Sequence, residues 1–301
     1  MVIQSPLYRI KRLQESNILH GFMVLINTKK IGLHSKVVGI KTQSVVNIDD
    51  IIKQLQLISV VIAIRHCGGI FDLIITITGK ELPDCYTTLQ NLLSDHNKYI
   101  KHYQLLDKLD QRFLGVRMLI EDDKERKYLD NIKENKGSSF QTEFFKKKKD
   151  ISKITLDEHD QKIIDALKLN SRISLAELST TTNLSLFQLQ QRIRRMITED
   201  VITGFFPHFS LAHLGLQHHT VMLNVHKDSE KKFHTWTEEH PYVVWRTKYL
   251  GQYNYKLTVY ARNNAHLSDM LQELISEFGD SISHVETLPI FRSAQYIPFI
   301  R

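Results

Sequence analysis

Apolar positions along the chain alternate between strand-like and helical spacing, and they do so twice in the same order. Residues 36–45 are β-branched and strand-like. Over 47–58 the apolar positions Ile51, Ile52, Leu55 and Ile58 recur at helical spacing. Residues 60–66 read as a strand, Gly68-Gly69 as a tight turn and 71–78 as the second strand of a hairpin. A helix over 82–93, through Tyr86, Leu89, Leu92 and Leu93, and a strand over 100–106 close the set. The order returns over 219–225, 230–239, 243–248, 253–260, 267–278 and 282–288. Each set is β-α-β-β-α-β, the ferredoxin-like arrangement, in which two helices cover one face of a four-stranded antiparallel sheet. The open face needs a partner, and two copies in one chain can supply it to each other.

The duplication is literal as well as periodic. Arg9-Ile10-Lys11-Arg12-Leu13, Ile18, Gly21-Phe22 and Ile31-Gly32-Leu33 return as Arg192-Ile193-Arg194-Arg195-Met196, Ile202, Gly204-Phe205 and Leu214-Gly215-Leu216, always 183 positions later. The turn glycines Gly69 and Gly251 are 182 apart, so one residue was lost between them. A repeat this long is a duplicated domain, not a solenoid unit.

Only the second copy is preceded by a recognisable head. Three helix starts carry capping-box patterns: Thr155-x-x-Glu158, Ser174-x-x-Glu177 and Ser185-x-x-Gln188. The helices predicted behind them bury Ile163, Ile164 and Leu167; Leu175 and Leu178; and Leu189, Ile193 and Met196. A short turn through Thr182, Asn183 and Leu184 separates the last two, as in a helix-turn-helix. The third helix starts after Ser185 and turns Phe187, Gln188, Gln190, Gln191, Arg194 and Arg195 outward, and these six with Ser185 are the expected DNA contacts. Gln pairs with adenine edges, Arg with guanine or phosphate. Residues near a recognition helix's start reach the bases, so Phe187, Gln188 and Gln191 are the expected base contacts, with Arg194 and Arg195 on phosphate. Phe187 either packs on a thymine methyl or caps the core of the head.

Composition narrows the class. The net charge of +7 and a pI near 9.2 favour an anionic partner. No apolar run approaches a membrane span, and the first residues lack a signal-peptide pattern, so a cytoplasmic protein without membrane contact is expected. The two cysteines, Cys67 and Cys85, form no disulfide framework or metal motif and are read as reduced core residues. Histidines such as His218 and His219 are strand neighbours that face opposite sides, so no metal site, cofactor or catalytic residue is assigned.

The order and spacing of Leu156-Asp157-x-x-Asp160-x-x-Ile163-Ile164-x-x-Leu167, Arg172-Ile173-Ser174-x-x-Glu177-Leu178, Leu184-Ser185, Arg192-Ile193-x-x-Met196 and Val201-Ile202-x-Gly204-Phe205 resemble the Lrp/AsnC family of regulators. The β-α-β-β-α-β copies resemble that family's RAM, or effector-binding, domain. The resemblance implies an α+β chain with a helix-turn-helix head and two ferredoxin-like RAM domains in tandem. It also implies double-stranded DNA as partner, amino-acid-like effectors, and homo-oligomers through the RAM domains, or assemblies with other family members. Expected boundaries are 1–22 for a truncated helix-turn-helix remnant, 23–113 for the first RAM-like domain, 114–154 for a charged linker, 155–205 for the head and 206–301 for the second RAM-like domain.

In the resembled family small ligands sit between RAM domains near the hairpin turn, here Gly68, Gly69 and Asp72 in one copy and Gly251, Gln252 and Asn254 in the other. Asp72 is the expected partner of an effector's amino group; the alternative is that the glycines serve only the hairpin. In the linker, 122–135 reads as a solvated helix, and Lys146–Lys149 as either extra phosphate contacts or a solvated run. Pro6 occupies the position of Leu189, so a helix should begin there with Ser5 as cap, too late for base reading. A genuinely truncated head and a start codon placed too late look alike. Two further functions stay open. Some proteins resembling this family are sirohaem decarboxylases, for which Arg65 with His66, or Arg246 with Lys248, would imitate the pocket. A non-DNA-binding sensor or assembly subunit is the other.

Overall fold

The computed structural model describes residues 6–43, 47–79, 99–120 and 153–296, with isolated positions between 87 and 94. The helix expected at 82–93, Cys85, the linker helix at 122–135 and the lysine run lie outside the described residues. Two compact units emerge, one from 6–34 and 153–214, the other from 35–120 and 215–296. Each therefore takes chain from both copies. The compact units divide at 34/35 and 214/215, where the sequence reading placed boundaries at 22/23 and 205/206.

The first unit contains α1 (Pro6–Glu15), β1 (Leu19–Ile26), α3 (Glu158–Leu169), α4 (Leu175–Thr182), α5 (Leu186–Thr198) and β6 (Ile202–Phe209). Ile163, Ile164, Leu167, Leu178, Leu189 and Met196 form its buried apolar set. Ser185 caps α5 in a complete capping box with Gln188, and Ser174 caps α4 through the Glu177 amide. The first cap differs from expectation. Asp157, not Thr155, caps α3, and Asp160 closes the box. A carboxylate accepts the orphan amides and sits at the positive end of the helix, so it displaces the hydroxyl two residues earlier. Asn183 takes a left-handed conformation, φ +55°, and so makes the turn into α5.

Strands β1 and β6 were not legible from apolar alternation. They pair antiparallel, with Met23 opposite Phe206. Those two residues are counterparts in the 183-residue repeat, so the ribbon has an internal pseudo-twofold axis.

The second unit is built from β2 (His34–Thr42), α2 (Ile48–Gln56), β3 (Val61–Cys67), β4 (Leu73–Gly79), β5 (Ile100–Phe113), β7 (Gln217–Val225), α6 (Glu230–Glu239), β8 (Val243–Leu250), β9 (Tyr255–Ala261), α7 (Asn264–Phe278) and β10 (Ile282–Tyr296). Eight strands close into a barrel in the order β10-β3-β4-β2-β5-β8-β9-β7. Closure rests on β5 and β10, which run well past their expected ends and cross to the other copy. β5 pairs with β8, and β10 pairs with β3. Asp107 lies opposite Leu250 and Ile290 opposite Cys67, so the two crossings share one register under the repeat. A sheet closed on itself leaves no edge exposed.

Three apolar clusters follow from strand alternation. Val38, Ile40, Leu55, Ile64, Leu73 and Ile75 pack beneath α2. Val221, Leu223, Phe233, Leu257, Leu274 and Phe278 pack beneath α6 and α7. Between the sheets, Val37, Cys67, Phe71, Ile74 and Leu106 of the first copy meet Met222, Tyr249, Tyr253 and Leu288 of the second. Full burial of such a side chain is worth roughly 1.5–3 kcal/mol, so each copy is the other's core.

Candidate nucleic-acid interface and effector cleft

On α5, the seven expected DNA contacts separate into two groups. Gln188 Oε1 accepts from the Ser185 amide at 3.0 Å, so both side chains are committed to the cap. Arg195 donates to Asp160 and faces back toward α3. Arg192 joins it, donating to Asp157 at 2.6 Å and to Asp160 at 2.9 Å. Asp160 is fully buried, and the two guanidiniums compensate its charge. The backbone amide of Asp160 and the Arg192 guanidinium lower the Asp157 carboxyl to about 2. Arg195 and Gln188, both expected at DNA, thus also have partners inside the head. The sequence signal was present: Asp157 and Asp160 precede two arginines spaced at i, i+3 on the docking side of a helix.

Phe187, Gln190, Gln191 and Arg194 are exposed on α5. Phe187 is 74% exposed, so it does not cap the core. These four form a polar row with one aromatic, free of the cap and of the buried ion pairs. Arg194 has the reach and charge for phosphate, the glutamines for base edges.

At the hairpin turns the structure gives the two copies one design. Asp72 accepts from Lys41 Nζ at 2.7 Å and from the Thr42 amide and hydroxyl at 2.8 Å. Burial works to raise its carboxyl, but these hydrogen bonds outweigh burial and hold it below the ordinary value. Asn254 does the same for its own copy, bonding the Val225 amide and carbonyl at 2.8 Å. Val225 is the repeat counterpart of Thr42, so a charged and a neutral side chain perform one anchoring task. Gly69 and Gly251 have φ of +98° and +152°. A Cβ on Gly251 would also come within 2.7 Å of Leu106 Cδ2. Asp72 and Asn254, expected to hold an effector, thus also anchor the hairpins. Gln252 lines a cleft of about 460 Å³ at this end of the barrel, together with Lys41, Lys101, His102, Gln104 and Glu286. Gln104 and Gln252 join the copies across it at 2.9 Å. Lys101, His102 and Glu286 escaped the sequence reading because they sit on strands β5 and β10, far from any glycine signal.

The residues considered for a decarboxylase pocket do not converge. Arg65 and His66 are neighbours on β3 and face opposite sides. Arg246 donates to the His234 carbonyl, Thr237 and Glu238, while Lys248 pairs with Glu230.

Comparison with known proteins agrees with this geometry. Residues 156–203 match the family model described as winged helix-turn-helix DNA-binding. An uncharacterised HTH-type transcriptional regulator, YezC of Bacillus subtilis, is 26% identical over 116 residues, 38% of this chain and 83% of its own length. The proline dehydrogenase transcriptional activator of Rhizobium radiobacter is 26% identical over 144 residues, 46% of this chain and 92% of its own. Among solved structures the sirohaem decarboxylase NirDL has the same fold, with a TM-score of 0.67 at 12% identity, over 97% of this chain and 82% of that one. The head at 156–203 is thus similar to a winged helix-turn-helix DNA-binding domain, and the chain is similar in part to HTH-type transcriptional regulators.

Proposed function

We propose that this chain is a sequence-specific DNA-binding transcriptional regulator that reads DNA with α5 and senses an amino-acid-like effector in the cleft. The observation that carries the reading is the division of labour on α5. Ser185, Gln188, Arg192 and Arg195 hold the helix, and Phe187, Gln190, Gln191 and Arg194 are left outward. The similarity of the head to those of transcriptional regulators supports it. The cleft suits a zwitterion, with Lys41, Lys101 and His102 for a carboxylate and Glu286 for an ammonium group. Selection of bound duplexes from a random pool at near-physiological salt tests the reading. A recurring motif supports it, and a pool no different from the input overturns it.

One observation favours a second reading, sirohaem decarboxylation: the fold likeness to NirDL spans nearly the whole chain. Mixing the protein with sirohaem and following mass and absorbance decides it. Loss of carbon dioxide would establish an enzyme; an unchanged tetrapyrrole removes that reading.

A further inference from the structure

The space between the two sheets is apolar toward the hairpin turns and polar deeper in. Cys67 and Tyr249 belong to the inter-sheet core, so Arg65 and Thr247, two residues earlier on β3 and β8, share that face. On β9, Tyr255, Leu257 and Val259 pack under the helices, which turns Lys256 inward. Lys256 lies opposite Thr247 in the β8–β9 register and is only 7% exposed. Its ammonium group is 6.0 Å from the centre of the Tyr249 ring. His218, on the same face of β7 as Met222, stacks on Tyr260 at 4.8 Å.

This face carries donors without acceptors. Among the described residues Lys256 and Arg65 meet no carboxylate. The Thr247 and Tyr249 hydroxyls and His218 Nε2 are buried without a partner in hydrogen-bond geometry. Burial pushes the Lys256 ammonium well below its ordinary range, and the charges acting on it, Arg65 and Lys108, have its own sign. A buried ammonium among like charges has two ways to exist: it gives up its proton or it acquires an anion. An anion satisfies the ammonium, the Arg65 guanidinium and the two partnerless hydroxyls together, whereas the single lone pair of a neutral Lys256 amine accepts from one hydroxyl only.

We propose that the polar half of the barrel interior is a binding site for a compact oxyanion, the phosphate or carboxylate group of a small molecule, held by Lys256 and Arg65 with the Thr247 and Tyr249 hydroxyls donating. It is separate from the effector cleft and does not depend on DNA reading.

The test is thermal unfolding of the full chain in sodium phosphate and in sodium acetate, each against chloride at equal ionic strength and pH 7. A saturable rise in Tm with one of the two anions is expected. It should disappear in Lys256→Met and Arg65→Met and persist in Arg194→Ala, whose altered side chain lies on the head. In chloride, Lys256→Met should melt above the parent protein, because an uncompensated buried charge has been removed. Should the variants not fold, acetylation of Lys256 in the parent protein, mapped by peptide mass spectrometry, gives the answer. At ten times the dissociation constant the stabilising anion should slow it by roughly tenfold. Neither anion exceeding chloride, a rise that survives in Lys256→Met, or unprotected acetylation each overturns the proposal.

Discussion

Helices α1 and α5 are counterparts in the repeat and differ in what holds them. In α5, Arg192 and Arg195 converge on Asp160, a fully buried acid supplied by α3. In α1 the equivalent arginines, Arg9 and Arg12, lie exposed. The first copy still supplies β1, which pairs with β6 about an internal axis. Among the described residues it thus keeps the pairing strand, while its helix turns the equivalent arginines to solvent. A recognition helix is oriented by the helix it docks on, and one buried acid with two arginines does this in the second copy. The barrel repeats the lesson: β5 and β10 make matching crossings, so the surfaces that would join two RAM domains are used within one chain.

The sharpest way to break this comparison is to remove the acid. Asp160→Ala leaves two arginines without their shared partner and should destabilise the head by about 3–5 kcal/mol. Arg12→Ala in α1 should change stability by less than about 0.5 kcal/mol. Hydrogen exchange over 158–198 reads both, and comparable losses would show that the two arginine sets are not different in kind. Next in size is DNA binding. Arg194→Ala should weaken affinity about tenfold on every sequence and lower the salt slope by about one. Its counterpart Lys11→Ala should do neither, and a changed base preference for Arg194→Ala would make that residue a base reader instead. Gln191→Ala should flatten preference at one base pair, by about 1–3 kcal/mol of discrimination. Tyr8 is its counterpart, and a matching loss in Tyr8→Ala would place α1 in a groove as well.

The smallest expected effect is on pH dependence. Asp157 titrates lower in the folded head than in the unfolded chain, because the Asp160 amide and Arg192 favour its charged form. Its contribution is therefore complete above the ordinary carboxylate range near 4 and is lost as pH falls toward about 2. The side chain is half exposed, so screening keeps the effect below about 1 kcal/mol. Asp157→Asn should flatten the acid limb of head stability by that amount; an unchanged limb would mean that other carboxylates set it.

Much of the fold was readable because the repeat and the apolar periods agree. The strand-helix-strand-strand order, the three helices of the head and the Ser185 cap lie where Ile51, Leu55, Leu189 and Met196 put them. Strands β1 and β6 were hidden because their partner is the other copy's ribbon, and pairing over a sequence distance of nearly two hundred residues leaves no local period. The site was only partly readable for a similar reason. Gln188 and Arg195 have the right chemistry for DNA, but a cap amide and a buried acid compete for them, and only the fold shows which wins. Asp72 and Asn254 looked like unequal ligand groups until both proved to anchor their turns to the preceding strand.

The central claim, one reader in an internally paired chain, is tested most directly by native mass spectrometry on a selected DNA site. One chain should bind a duplex carrying a single half-site, and two chains should be needed to occupy a complete palindromic site. A single chain that fills and protects both half-sites would contradict the claim, because α1 would then be reading DNA alongside α5.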